Sequence, residues 1–89
     1  MRWNPRDSTL KVATLEVFVR YASLTPSEWA ELVGFRPVQS AWSYLRRLHR
    51  YGLLRRKRVR GRLEYRIASN GARYLLWWKA NYGNVTVRA

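Results

Sequence analysis

Arginine is the residue type whose number and spacing carry the most chemistry in this sequence. The segment 35–67 holds eleven basic residues against one acid, Glu64, and so ten of the thirteen net positive charges of the 89-residue chain. The first 34 residues, in contrast, balance to zero net charge. Fifteen of the 18 basic residues are arginine, whose planar guanidinium suits bidentate contacts with phosphate and guanine. A positive field confined to one segment predicts a polyanionic partner such as nucleic acid.

Side chains for other kinds of chemistry are sparse. His49 is the only histidine, and we expect it on the apolar side of a helix in a packing role. Five scattered acids predict neither a metal site nor a pair of catalytic carboxylates. The chain has no cysteine, hence no disulfide framework or thiolate metal site, and no glycine-rich phosphate loop. We therefore expect no enzymatic activity, no cofactor and no metal.

Length and hydropathy favour one small folded domain. The chain is 47% apolar with 13 aromatic residues, which is too hydrophobic for a disordered basic tail. No apolar run approaches the roughly 20 residues of a membrane span, and the N-terminus lacks a signal-peptide core. We expect a cytoplasmic protein, associated with the nucleoid if the source is prokaryotic. The predicted organisation is a flexible arm at 1–8, a domain at 9–83 and a tail at 84–89.

The first predicted element is a helix over residues 9–22, because Pro5 argues against an earlier start. Its apolar residues fall on two nearly opposite faces, and such a helix must be covered on two sides. A strand over residues 15–21 is the alternative, since polar and apolar residues nearly alternate there. The second apolar face consists of Val12, Leu15 and Val19.

Two shorter helices are predicted next. The sequence Thr-Pro-Ser-Glu at 25–28 is a capping box with proline at the first helical position, so Thr25 is the N-cap. That helix is expected to end at Gly34, and Leu24 before it is expected to pair as a short strand. A further helix covers 37–51. Two short helices joined by a glycine-containing turn predict a helix-turn-helix.

The helix over 37–51 divides into an apolar side, where Trp42 is expected in the core, and a polar side. The polar side carries three arginines without an acid, and its N-terminal half is short and uncharged. These features suit insertion into the major groove, although many amphipathic helices only present a solvated face. The residues assigned to this recognition helix are Arg36, Gln39, Ser40, Ser43, Arg46, Arg47 and Arg50.

Residues 55–59 and 62–67 predict an antiparallel hairpin with Gly61 in its turn. Six of the eight residues from 55 to 62 are positive, whereas a charged edge that only prevents aggregation would mix both signs. We therefore predict that an anion compensates these charges. The inward positions are Leu63, Tyr65 and Ile67, and the anion-binding residues are Arg55, Lys57, Arg58, Arg60 and Arg62.

A last helix is predicted over 71–82, with Trp78 on its inner face and Trp77 pointing outward. Exposed aromatic residues on terminal helices are typical anchors of an interface. Together with the second apolar face of the first helix, this predicts a homodimer. The alternative is that this face packs on the last helix of the same chain, with Trp77 flat on the surface. The predicted interface residues are Val12, Leu15, Val19 and Trp77.

The segments TPSEWAELVGF, VQSAWSYLRRLHRYGLLRR and GRLEYRIASNG together resemble the winged helix-turn-helix regulators of the MarR, PadR and ArsR kind. The resemblance covers residues 9–83 and implies an α+β, mostly helical fold with a three-helix core, a two-stranded β wing and a C-terminal helix. It implies base or backbone contacts from Gln39, Ser40, Ser43, Arg46 and Arg47. It also implies phosphate or minor-groove contacts from Arg58, Arg60 and Arg62. The chain departs from the larger members of these families in lacking long dimerising helices and a separate effector domain.

The sequence thus predicts a protein that binds double-stranded DNA and acts as a sequence-specific transcriptional regulator. The recognition helix would enter the major groove, and the basic wing would contact the backbone. An RNA-binding winged-helix protein of a ribosomal or RNA-processing complex is the principal alternative, because an RNA helix also offers phosphates and shape. A low-specificity architectural DNA-binding protein is another. A protein-interaction module would leave the positive segment unexplained.

Overall fold

The computed structural model describes residues 5–82, with side chains from residue 9 onward. Its elements follow in the order α1 (Pro5–Arg20), α2 (Pro26–Val33), α3 (Gln39–Arg50), β1 (Leu54–Val59), β2 (Arg62–Ile67) and α4 (Ser69–Tyr82). This part of the chain is mostly helical with one two-stranded antiparallel sheet, which confirms the predicted fold class. None of the described helices is long and apolar enough to cross a membrane.

Helix α1 begins at Pro5, four residues earlier than predicted. The expectation that Pro5 opposes a helical start was wrong, because residues in the first helical turn donate no intrahelical hydrogen bond from their backbone nitrogens. The alternative of a strand over residues 15–21 was also wrong. Of the predicted arm, residues 5–8 belong to α1, while 1–4 and the predicted tail at 84–89 lie outside the described residues.

Most of both apolar faces of α1 is covered within the chain, and only the C-terminal end of the helix is exposed. Helix α1 packs against α4, β2 and α2, and Glu16 forms an ion pair with Lys79 of α4 at 2.7 Å. Val12 and Leu15 are each 0% exposed. Their assignment to a dimer interface was therefore wrong, since neighbouring elements of the same chain bury them. Val19 differs, because it lies at the end of the helix and is 57% exposed.

Both ends of α2 form as predicted. The Thr25 hydroxyl accepts a hydrogen bond from the backbone N–H of Glu28 at 3.2 Å, and the Glu28 carboxylate accepts from the Thr25 N–H at 2.9 Å. Gly34 closes the helix with φ of 70° and ψ of 32°, in the left-handed region that favours glycine. Leu24 pairs with Tyr65 in an antiparallel bridge, which confirms the predicted short strand.

Helix α3 lies against α2 through an aromatic cluster. Tyr44 of α3 stacks on Trp29 of α2 with ring centroids 5.5 Å apart, and Phe35 closes the cluster at 4.8 Å from Trp29. The α3 residues that enter the core are Ala41, Leu45 and Leu48. These contacts fix the orientation of α3 relative to α2, and so decide which side of α3 remains exposed.

Strands β1 and β2 form a hairpin in which Val59 lies opposite Arg62. Its two-residue turn has positive φ at both positions, 51° at Arg60 and 80° at Gly61. A turn of this kind matches the right-handed twist of the flanking strands. Tyr65 is buried and the other predicted inward residues, Leu63 and Ile67, are half-buried, so the predicted alternation is confirmed.

Helix α4 begins two residues earlier than predicted and packs on α1. A β-carbon at Gly71 would overlap the backbone carbonyl oxygen of Leu53, so this position brings α4 close to the segment before β1. Leu75 and Trp78 point into the core, at 5% and 9% exposure. Trp77 points outward as predicted, with 51% of its side chain exposed.

Candidate nucleic-acid interface

The exposed side of α3 brings basic residues into one surface depression. Its lining residues are Ser43, Arg46, Arg47 and Arg50, at the spacing of one helix face. All are exposed, and within residues 9–82, whose side chains are described, no ion pair or hydrogen bond engages the three guanidiniums. A guanidinium has donors and no acceptor. The predicted polar face of α3 is therefore a continuous cationic surface, which we call the α3 face.

The start of α3 carries the uncharged part of the predicted site. Gln39 and Ser40 are exposed in the first helical turn, which contains no acidic residue. Arg36 lies elsewhere, in the segment before α3, where it borders a depression with Glu28 and Glu31 of α2. Its assignment to the recognition helix was therefore wrong, because the turn between α2 and α3 directs it toward the acidic side of α2.

The hairpin register divides the basic residues of the wing between two faces. Cross-strand partners lie on the same face of a sheet. Arg56 pairs with Tyr65 and Arg58 pairs with Leu63, so both arginines lie on the face that packs toward the core and α3. The predicted residues Arg55 and Lys57 lie on the opposite face, and Arg60 lies at the tip.

Arg56 is a candidate that the sequence analysis missed. A two-residue turn at Gly61 fixes residue 58 opposite 63 and residue 56 opposite 65, so the register alone could have identified it. Arg56 lies near His49 of α3, whose pKa is lowered first by burial and then by the charge of Arg56. The imidazole packs edge-on against Tyr65 with centroids 6.4 Å apart, in agreement with the predicted packing role.

Arg62 has a protein partner. Its guanidinium lies 3.1 Å from the Glu28 carboxylate, with both side chains about half exposed. The hydrogen bond from the Thr25 N–H is the largest cause that lowers the pKa of Glu28, burial opposes it, and Arg62 lowers it further. The sequence assigned Arg62 to nucleic-acid contact. In the structure its ion pair with Glu28 links the wing to the start of α2.

Trp42 was expected in the core, and that expectation was wrong. Its side chain is 48% exposed, because Ala41, Leu45 and Leu48 fill the side of α3 that faces the core. Trp42 instead borders the depression between α3 and the wing, together with Arg58. A helical wheel places Trp42 at the edge of the apolar side, and only the position of the wing decides whether that edge is covered.

The assembled surface offers positive charge and hydrogen-bond donors. Gln39 and Ser43 add groups that both donate and accept, which base edges require. Within the described part of the chain, no group of three or more His, Asp or Glu side chains is placed to hold a metal ion. The arrangement is suited to binding a polyanion of defined shape.

No protein-family model and no curated protein matches the sequence. Among solved structures, the chain is similar to the crystal structure of the AntR antimony-specific transcriptional repressor, with 25% sequence identity and a TM-score of 0.63. The similarity covers 79% of this chain and 63% of the repressor, so this chain spans less than two thirds of that protein. The resemblance inferred from the sequence is thereby confirmed, and the chain has a winged helix-turn-helix fold.

Proposed function

We propose that this protein binds double-stranded DNA as a sequence-specific transcriptional regulator. The observation that carries the proposal is the unpaired α3 face, which continues into the wing through Arg56, Arg58 and Arg60 on a fold shared with a transcriptional repressor. The exposed side of α3 is free to enter the major groove, which is wide enough to admit an α-helix. The wing would then lie on the adjoining backbone.

The residue types divide this surface into a part suited to base contacts and a part suited to phosphate contacts. Gln39, Ser40 and Ser43 lie in the N-terminal half of α3, which in helix-turn-helix proteins reaches base edges. Arg46 and Arg47 follow, and a guanidinium forms its most specific contact with the O6 and N7 atoms of guanine. The wing arginines serve as phosphate ligands, which position the protein without reading sequence.

The antimony specificity of the neighbouring repressor does not enter the proposal. Soft ions prefer thiolate ligands, and the 89 residues contain no cysteine. From that repressor we carry over only the DNA-binding role, which the shared fold and the cationic surface support together.

We propose further that the protein acts as a homodimer. A single winged helix covers few base pairs, and two copies gain specificity by occupying half-sites about one helical turn apart. The proposed contact surface consists of exposed apolar residues on α4 and at the end of α1. These residues are Val19, Leu76, Trp77 and Tyr82, each more than half exposed. Sedimentation equilibrium at micromolar concentration tests this part independently of DNA binding.

Fluorescence anisotropy titrations test the DNA-binding proposal. Duplex DNA, duplex RNA and single strands of matched sequence are titrated at several salt concentrations. Arg47→Ala should weaken duplex DNA binding at least about fivefold, as expected for a lost charge-assisted contact. Arg73→Ala is the matched control, because it removes the same charge from an exposed position on α4 and should change affinity less than about twofold.

The alternatives give different outcomes in the same titrations. Tighter binding to duplex RNA than to duplex DNA would favour the RNA-binding alternative. Equal losses in the two variants would show that only net charge matters. If selection from a random duplex library then enriches no sequence, the protein is a general DNA-binding protein and the regulator proposal fails.

A further inference from the structure

A cleft of about 410 Å³ lies between α3, the wing and the start of α2. Its lining includes Thr25, Ser27, Trp42, Arg58, Arg62 and Leu63, and we call it the Trp42 cleft. The indole of Trp42 is the largest side chain in this lining, beside the smaller apolar side chain of Leu63, and Trp42 is 48% exposed. Tryptophan is enriched at interfaces, because its ring is apolar and its N–H is a hydrogen-bond donor.

The rim of the Trp42 cleft consists of hydrogen-bond donors. The Arg58 guanidinium donates to the carbonyl oxygen of Gly61 at 3.3 Å, which holds it across the hairpin turn. Arg62 lies on the same rim, where it is paired with Glu28 at 3.1 Å, and the hydroxyl of Ser27 is exposed at the second residue of α2. The described lining contains no carboxylate and no carboxamide. Donors around one apolar ring match a sugar–phosphate unit, whose phosphate oxygens accept and whose deoxyribose ring offers an apolar face.

The Trp42 cleft adjoins the α3 face, because Trp42 itself belongs to α3. Trp42 and Arg46 are four residues apart, so they lie about 40° apart around the helix axis, with Trp42 on the side of the wing. Arg46, Trp42 and Arg58 thus form a continuous path from the α3 face to the wing. A DNA strand that runs from the groove occupied by α3 to the wing must pass over Trp42.

We propose that the Trp42 cleft binds one nucleotide unit of the DNA backbone, with deoxyribose against the indole and the adjoining phosphate on Arg58. This inference rests on the proposed DNA-binding function and adds a subsite to it. The contact of the indole is uncharged and independent of base identity. Trp42 therefore contributes affinity without releasing counterions, whereas Arg58 contributes affinity and part of the salt dependence.

The test uses the full chain and two duplexes of one sequence, one with thymidine and one with deoxyuridine at every thymidine position. Trp42→Ala should weaken both duplexes about tenfold, the scale expected when the exposed part of a large apolar side chain is buried in the complex. The slope of log K against log salt should stay unchanged. Trp42→Phe should retain most of the affinity, because it keeps an aromatic ring. Trp42→Leu should lose affinity as Trp42→Ala does, because leucine is apolar but has no flat ring. Leu32→Ala is the matched control, a side chain of the same 48% exposure on α2 outside the cleft.

Each other outcome overturns the inference in a recognisable way. An affinity of Trp42→Ala and Trp42→Leu within about twofold of wild type would show that the indole contacts nothing in the complex. A loss that disappears with deoxyuridine would show that the ring contacts the thymine methyl group instead of the sugar. A slope flattened by one unit would show that the substitution acts by displacing an arginine. If wild type binds neither duplex, the proposed function fails together with the subsite.

Discussion

Replacing Glu28 by Gln tests how the wing is held and what its release would do. One carboxylate oxygen of Glu28 accepts the Thr25 N–H at 2.9 Å, and the other pairs with Arg62 at 3.1 Å. Glutamine keeps an acceptor for Thr25 and removes the charge. The ion pair to the wing is lost, while the geometry of the cap is retained.

Two small terms set the expected loss of stability. An ion pair between half-exposed side chains contributes about 0–1 kcal/mol. A negative charge in the first turn of a helix contributes about 0.3–1 kcal/mol through the helix dipole. We therefore expect Glu28→Gln to lower the free energy of unfolding by about 0.3–2 kcal/mol, the sum of the two contributions.

The effect on DNA binding should have the opposite sign. Arg62 borders the Trp42 cleft, and without its carboxylate partner it is free to contact a phosphate. One added phosphate contact steepens the slope of log K against log salt by about 0.9. The variant should thus be less stable than wild type and bind duplex DNA more tightly at low salt.

The difference in stability should also depend on pH. The hydrogen bond from Thr25 and the charge of Arg62 lower the pKa of Glu28 below its ordinary 4.5. A carboxylate with a lowered pKa stabilises the fold above its unfolded pKa, and that contribution is lost as pH falls through the folded value. Wild type and Glu28→Gln should therefore converge in stability as pH falls from 4.5 through the folded pKa of Glu28.

Urea unfolding followed by circular dichroism gives the stability, and anisotropy at several salt concentrations gives the slope. Glu31→Gln is the matched control, because Glu31 is exposed three residues further along α2 and forms no ion pair within the described residues. If both variants show the same salt slope, Arg62 cannot reach a phosphate when released. If Glu28→Gln is as stable as Glu31→Gln, the contacts of Glu28 contribute nothing measurable.

Arg60→Ala should weaken all duplexes alike and flatten the salt slope by about one unit, and an altered sequence preference would contradict its backbone role. Arg46→Ala should change the sequence enriched from a random duplex library, with about 1–3 kcal/mol lost at a guanine, whereas an unchanged motif would assign it to phosphate. Trp77→Glu should yield folded monomers in sedimentation equilibrium, because it buries an unpaired charge only at the interface; a wild type that sediments near 10.7 kDa would contradict the dimer. Burial and the charge of Arg56 lower the pKa of His49, so unfolding free energy should fall as pH drops from 6.5 through the folded pKa, and His49→Gln should remove this dependence in denaturation curves.

Features decided within a few residues were predictable from the sequence. The capping box at Thr25, the left-handed Gly34 and the hairpin turn at Gly61 each depend on conformational preferences of the residues present. The polar side of α3 was predictable for the same reason, since helix geometry alone places Arg46 and Arg47 on it.

Features decided by contacts between distant segments were not predictable. Helix α4 helps to bury Val12 and Leu15, and nothing local distinguishes their face from a dimer interface. The partner of Arg62 is Glu28, 34 residues earlier in the chain. Trp42 is exposed because of where the wing lies. The sequence therefore predicted the exposed basic side of α3, but it did not predict which aromatic and basic side chains near it are exposed or paired.

The central claim is that the α3 face and the wing contact duplex DNA. Amide chemical-shift changes in ¹⁵N-labelled protein, on adding a duplex of about 20 base pairs, test it most directly, since that length spans two helical turns. We expect the largest changes at residues 39–50 and 56–62, with residues 69–75 of α4 little affected. Shifts centred on α4 or on the Glu28–Glu31 side of α2, with the α3 face unchanged, would contradict the account.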